Sequence, residues 1–220
     1  MFDMRTYVSP IGYNSTSVVR PVLSRGVDPG DEICLLRPNE ESDEQRATEA
    51  IEDIKRLLNE IEPDVTLTLK RITYDDYPTA VLECSDIITD ANGDVIVNLS
   101  GGARDILVPL TTASFVHSEQ TNATLSFSDI DGSVRELESP AMTASVPDNV
   151  ASTLAMIVDQ NECVSVPTLT EELDRSKSSI TRHISSLEEQ GLVQAEKHGR
   201  TKIVQSTFAG ELYLRGRGSQ

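Results

Sequence analysis

The sequence predicts an α/β fold in two parts: an open, mostly parallel six-stranded sheet, then a small helical domain. Three observations carry this. Over the first two-thirds, short β-branched runs alternate with amphipathic helices of 10–20 residues, the order that builds right-handed parallel crossovers. Residues 139–147, with Pro140, Pro147 and small side chains, break that rhythm as a linker does. Beyond them the order becomes helix, helix, turn, helix and hairpin. The expected domains are thus a Rossmann-like domain over residues 1–138, a linker over 139–147, and a winged helix-turn-helix over 148–220.

The elements follow in order. Residues 6–9 form a short apolar strand that runs into a turn-rich loop, 10–15, and then a helix, 16–23, around Pro21. Residues 32–36 are a second strand, ended by Pro38. Ser42 or Asp43 caps a long helix through Ile61, whose Ala47, Ala50, Ile51, Ile54, Leu57, Leu58 and Ile61 recur at three- and four-residue steps. Its solvated side is acidic, with Glu40, Glu41, Glu44, Glu49 and Glu52. Residues 65–69 alternate with period two as a third strand. A helix over 79–91 carries Ala80, Val81, Cys84, Ile87 and Ile88 as its apolar stripe. After the Asn92-Gly93 turn, 94–98 form a buried fourth strand, followed by a helix over 103–117. Residues 123–127 are the fifth strand. The tight Asp131-Gly132 turn makes a sixth, 133–137, antiparallel to it.

In the second domain, Asp148 caps a helix over 149–160 with Val150, Leu154, Ile157 and Val158 inward. Thr168 caps a short helix over 169–173. Arg175 and Ser176 turn the chain into a third helix, 177–190, with Ile180, Ile184 and Leu187 inward and Gly191 just past its end. Strands over 192–197 and 201–206 flank the tip His198-Gly199-Arg200, and a last helix starts near 207.

Composition narrows the class. No apolar run approaches the ~20 residues that cross a bilayer, and residues 1–9 lack a secretory start, so the chain reads as cytoplasmic and free of membrane. Cys34, Cys84 and Cys163 form no CxxC pair and read as buried free thiols. No metal site is expected. The net charge of −17 is unevenly placed: residues 1–145 hold 26 acidic and 11 basic side chains, residues 146–220 hold 10 and 8. Five lysines against 14 arginines, with abundant Asp, Glu and Thr, resemble the composition of proteins from salt-loving cells. At molar salt the Debye length is only ~3 Å, so an acidic total there says little about partners.

Ligands of an open α/β sheet sit beyond the carboxyl ends of the strands, where the winding direction reverses. With strand order 3-2-1-4-5, the loops at that point are 9–15 and 98–104. Gly101 and Gly102 let a ligand approach the main chain, and the next helix offers free N–H groups and a positive dipole end. Arg104 adds a charged donor fork, and Asn98 and Ser100 add neutral hydrogen-bonding groups. The alternative reading is a tight turn with Arg104 on the surface. Neither GxxxxGK[ST] nor GxGxxG is present. Residues 74–77, Tyr-Asp-Asp-Tyr, are either a dimer contact or a loop.

Asn98-Leu99-Ser100-Gly101-Gly102-Ala103-Arg104 resembles the Asn-x-[Thr/Ser]-Gly-Gly-x-[Arg/Lys] signature of the CRISPR-associated Rossmann fold (CARF) domain, and Gly12-Tyr13-Asn14 stands where that family has its other ligand loop. With the winged helix, the chain resembles the archaeal CARF–winged-helix transcriptional regulators over residues 4–215. Ser100 stands where the family often has Thr, and Ala103 where it often has Thr or another small polar residue. The resemblance implies a homodimer that binds a cyclic oligoadenylate, commonly cyclic tetra-adenylate, across its two-fold. Asn98, Ser100, Gly101, Gly102 and Arg104 would line the site with Ile11, Gly12, Tyr13 and Asn14 opposite, and no further cofactor is implied. The genes regulated would be CRISPR-associated or related antiviral defence genes.

The winged helix makes its own case for double-stranded DNA. Lys177, Ser178, Ser179, Thr181, Arg182 and Ser185 are polar positions of the third helix, whose N-terminal half enters the major groove in this motif. Short hydroxyls and an Arg suit base edges and phosphates. The wing tip gathers Lys197, His198, Arg200 and Lys202. The competing use is a protein contact. Three histidines, His117, His183 and His198, show no metal spacing and no nucleophile motif, and His183 reads as a helix-surface residue. No catalytic residue is expected. Two rival functions remain: the same regulator with a different ligand or none, and a ring nuclease that cleaves cyclic oligoadenylate.

Overall fold

The computed structural model describes residues 4–40, 43–140, 142–160, 163–199 and 201–217. The chain divides into two units, Met1–Ser139 and Pro140–Gln220.

In the first unit, strands β1 (Arg5–Pro10), β2 (Glu32–Pro38), β3 (Thr66–Ile72), β4 (Asp94–Asn98), β5 (Thr121–Phe127) and β6 (Val134–Leu137) form one sheet in the order β3-β2-β1-β4-β5-β6. Every pair is parallel except β5 with β6. Helices α1 (Thr16–Arg25), α2 (Glu44–Ile61), α3 (Tyr77–Asp90) and α4 (Arg104–Val116) make the crossovers. Side chains alternate along each inner strand, so the sheet feeds two cores. Tyr7, Ile33, Leu35 and Ile96 pack with Val18 and Val22 of α1 and Ala50, Ile54 and Leu58 of α2. Val8, Cys34, Leu36 and Val97 pack with Ala80, Cys84 and Ile88 of α3 and Ile106 and Leu110 of α4. The six-stranded, mostly parallel reading holds. β3 runs further than expected because it pairs with β2 through Pro38 opposite Ile72.

Of the two candidate caps of α2, Asp43 accepts from the Arg46 N–H at 3.2 Å, and Ser42 lies outside the described residues. At the amino ends of the strands, the fully buried Asp31 accepts from the backbone N–H groups of Arg5 and Asp28 and pairs with the Arg5 guanidinium at 3.0 Å. Burial pushes the Tyr7 phenol up to about 12, and its hydroxyl donates to the Gly26 carbonyl at 2.7 Å.

The second unit contains α5 (Asp148–Asp159), β7 (Val164–Ser165), α6 (Val166–Glu172), α7 (Lys177–Glu189), β8 (Val193–His198), β9 (Thr201–Ser206) and α8 (Phe208–Arg217). Its core joins Leu154 and Ile157 of α5, Leu169 of α6, Ile180, Ile184 and Leu187 of α7, and Val204 of β9. The hairpin gains a third strand, β7, in the order β7-β9-β8. Helix α6 starts earlier than expected: its cap is Ser165, which accepts from the Thr168 N–H at 3.3 Å, so Thr168 lies inside the helix. Val146 is buried in this core and Ala144 packs against it, so the later residues of the expected linker belong to the second unit. Cys34 and Cys84 are buried and burial raises their thiols, Cys84 to about 12, but Cys163 is exposed. It precedes the short β7 at the edge of the hairpin sheet and donates to Gln205 Oε1 at 3.2 Å.

Candidate functional site

The two loops leaving β1 and β4 meet beyond the carboxyl ends of the strands. Gly101 and Gly102 both have φ near +70°, the left-handed region that favours glycine. A Cβ on Gly102 would meet Pro10 Cβ at 2.7 Å, and one on Gly101 would collide with the Ser17 side chain. A Cβ on Gly12 would stand 3.3 Å from Gly102 Cα, so the loops pack backbone to backbone. Asn98 ties them: its Nδ2 donates to Ser9 Oγ at 2.7 Å and to the Ser17 carbonyl at 2.9 Å. Its Oδ1 has no hydrogen-bond partner. Ser100 Oγ accepts from the Phe127 N–H at 2.6 Å and fixes the loop to β5.

The result is a cavity of about 540 Å³. Of the expected ligand residues, Gly12, Tyr13, Asn14, Gly101 and Gly102 line it. Ile11, Asn98 and Ser100 do not: all three are buried, Ile11 in the apolar core and the other two in the bonds that hold the loops. Arg104, exposed at the first position of α4, is also absent from the lining. Ser17, Glu40, Tyr74, Asp105 and Asp129 line the cavity and were not foreseen. Tyr74 belongs to the loop before α3, while Tyr77 begins that helix and bonds Thr112 of α4 at 2.8 Å. Asp129 stands on the β5–β6 turn, where hydrogen bonds from Ser133 and Ser128 hold the neighbouring Asp131 carboxyl down at about 2. Among the described residues no His, Cys, Asp and Glu cluster suits a metal ion.

The second candidate surface is the front of α7 with the β8–β9 hairpin. Ser176 caps α7, accepting from the Ser179 N–H at 3.2 Å. Lys177, Ser178, Thr181 and Arg182 are exposed, as are Lys197 and His198 at the wing. Ser179 and Ser185 are half-buried; the Ser179 hydroxyl lies 2.9 Å from Ser176 Oγ. Thr181 Oγ1 donates back to the Lys177 carbonyl at 2.8 Å. Lys202 pairs with Glu188 of α7 at 2.9 Å, so wing and helix are tied by charge. Arg200 lies outside the described residues. His183 corrects a sequence expectation: it is only 3% exposed, with Nδ1 2.8 Å from Thr153 Oγ1 of α5. Desolvation lowers its pKa, helped by Arg175 and Arg182. The signal was in the spacing, since position 183 lies on the stripe of 180, 184 and 187.

The first unit is thus Rossmann-like, with a glycine-lined cavity at its switch point, and the second is a winged helix. Residues 5–140 match the Csa3 CRISPR-associated Rossmann-like domain, and the chain belongs to that family. Residues 144–202 match the MarR family. That pairing marks a CRISPR-related, DNA-binding transcription regulator rather than an enzyme. No curated protein matches the chain. Among solved structures, HlyU from Vibrio cholerae N16961 is 28% identical over 30% of this chain and 73% of its own, with a TM-score of 0.26. Csm6 from Enterococcus italicus, bound to cyclic hexa-2'-fluoro-hexa-dAMP, is 10% identical over 87% of this chain and 57% of its own, with a TM-score of 0.47. Can2 from Sulfobacillus thermosulfidooxidans, in complex with cyclic tetra-adenylate, is 10% identical over 86% and 57%, with a TM-score of 0.42. Among the described residues no helix is long and apolar enough to cross a membrane.

Proposed function

We propose that this chain is a cytoplasmic, homodimeric transcription regulator that binds a cyclic oligoadenylate in its first unit and double-stranded DNA with its second. The observation that carries the reading is the paired loop: Gly12 against Gly102, at the switch point of the sheet and open to a 540 Å³ cavity. A cyclic tetra-adenylate on the two-fold of a dimer would touch both copies of that cavity. Ligand then changes how the copies pack, and with it the spacing of the two α7 helices. Half-sites about one helical turn, ~34–36 Å, apart fit better or worse as a result.

Calorimetry with a panel of cyclic oligoadenylates tests the sensing step. Saturable binding by the wild-type chain, lost in Gly102→Ala, supports it. Heat of dilution alone from every ring would leave a regulator with another ligand or none. Genome-wide footprinting tests the DNA step, with protected sites expected and their absence contradicting it.

A further inference from the structure

The cavity carries an asymmetry that backbone donors alone do not explain. Its described lining includes two tyrosines and three carboxylates, Glu40, Asp105 and Asp129, and no Lys or Arg. Tyr13 stands on the loop after β1, held there by Asn14, whose Oδ1 accepts from the Thr16 N–H at 2.9 Å and whose carbonyl accepts from Ser17 Oγ at 3.0 Å. Tyr13 is 44% exposed. Arg46 of α2 places its guanidinium carbon 4.8 Å from the ring centroid, and Asp43 lies 3.9 Å from Arg46 Nε. A cation thus covers the ring from the helix, while the ring still lines the cavity. Aromatic faces beside hydrogen-bond acceptors suit a flat heterocycle that carries N–H donors; they do not suit a bare phosphate.

We propose that Tyr13, held in place by Arg46, is the stacking platform for a base of the nucleotide ligand. This inference rests on the reading of the cavity as a cyclic oligoadenylate site. The phosphates face the Gly101-Gly102 backbone, and a base lies on Tyr13 with its amino edge within reach of the carboxylates. Stacking of a base on an aromatic side chain is worth enough that its removal weakens binding by about ten-fold or more. Arg46 acts through the ring as a positioning residue, and an exposed cation–π contact corresponds to about a two- to five-fold effect.

The test uses the full chain and cyclic tetra-adenylate with one adenine replaced by 2-aminopurine, whose emission is quenched on stacking. The chain has no tryptophan, so no indole emission interferes. Wild type and Tyr13→Phe should bind alike and quench the probe. Tyr13→Leu should bind about ten-fold more weakly with the quench gone. Arg46→Ala should weaken binding by two- to five-fold and reduce the quench, with Arg46→Lys restoring most of both. Full binding and full quench in Tyr13→Leu would overturn the stacking role and leave the sensing function standing. No binding by the wild-type chain would overturn the sensing function and the stacking role together.

Discussion

Asn98 shows how a polar residue beside a cavity can be structural. It lies at the end of a buried strand, and two donors from one amide tie the loops after β1 and β4 together. Asn98→Ala removes both bonds, leaves the Ser17 carbonyl without that donor and Ser9 Oγ with only its 3.3 Å donation to the Pro10 carbonyl, and should cost about 1–3 kcal/mol in urea unfolding. Gly102→Ala should cost about 1–2 kcal/mol for its left-handed backbone alone. It should also disrupt ligand binding, because its new methyl points at Pro10. His183 sets a pH dependence. Its folded pKa lies below the ordinary 6.5, so in that window the unfolded chain binds the proton more strongly. Its contribution to stability is therefore complete above pH 6.5 and is lost as pH falls through the folded pKa. Melting curves at pH 7.5 and pH 5 should separate more for wild type than for His183→Gln. The motif 98–104 was legible in the sequence because glycines and a strand end mark a turn. That Asn98 and Ser100 would face inward was not, since the sequence did not say which hydroxyls and carbonyls would stand opposite them.

At the scale of the element, helix α7 is held from three sides: by its Ser176 cap, by the Thr153–His183 contact and by the Glu188–Lys202 pair. Periodicity announced the helix and its apolar stripe. It did not reveal β7, because two residues leave no alternation to read. Nor did it find the cap of α6, where Ser165 and Thr168 offer the same hydroxyl and only the backbone decides between them. Lys202 is one of the wing cations that the sequence shows, and Glu188 shares its charge. Glu188→Gln should therefore tighten DNA binding, by at most about five-fold for so exposed a pair. Arg182, exposed on the front of α7, should be worth about ten-fold or more when replaced by Ala. Anisotropy titrations of one promoter duplex at fixed salt measure both.

The whole molecule is organised by its charge. The total of −17 sits almost wholly in the first two-thirds of the sequence, while Lys177 and Arg182 of α7 and Lys197 of the wing are exposed in the nearly neutral last third. The two binding events should respond to salt differently. DNA affinity falls as salt rises, because counterions released from the phosphates oppose binding. An anionic ligand entering a cavity lined by Glu40, Asp105 and Asp129 is repelled, and screening weakens that repulsion as the Debye length shrinks from ~10 Å at 0.1 M to ~3 Å at 1 M. Calorimetry at low and high salt should show ligand affinity holding or rising; a fall as steep as that for DNA would contradict it.

Ligand in the first unit should change what the second unit does to DNA. The direct measurement is the affinity of the full chain for a footprinted promoter duplex, at one high salt concentration, with and without saturating cyclic tetra-adenylate. A coupling of ~1–3 kcal/mol predicts a shift in Kd of about five-fold or more, in either direction. Superimposable titrations from a chain that calorimetry shows to be fully loaded would contradict the account.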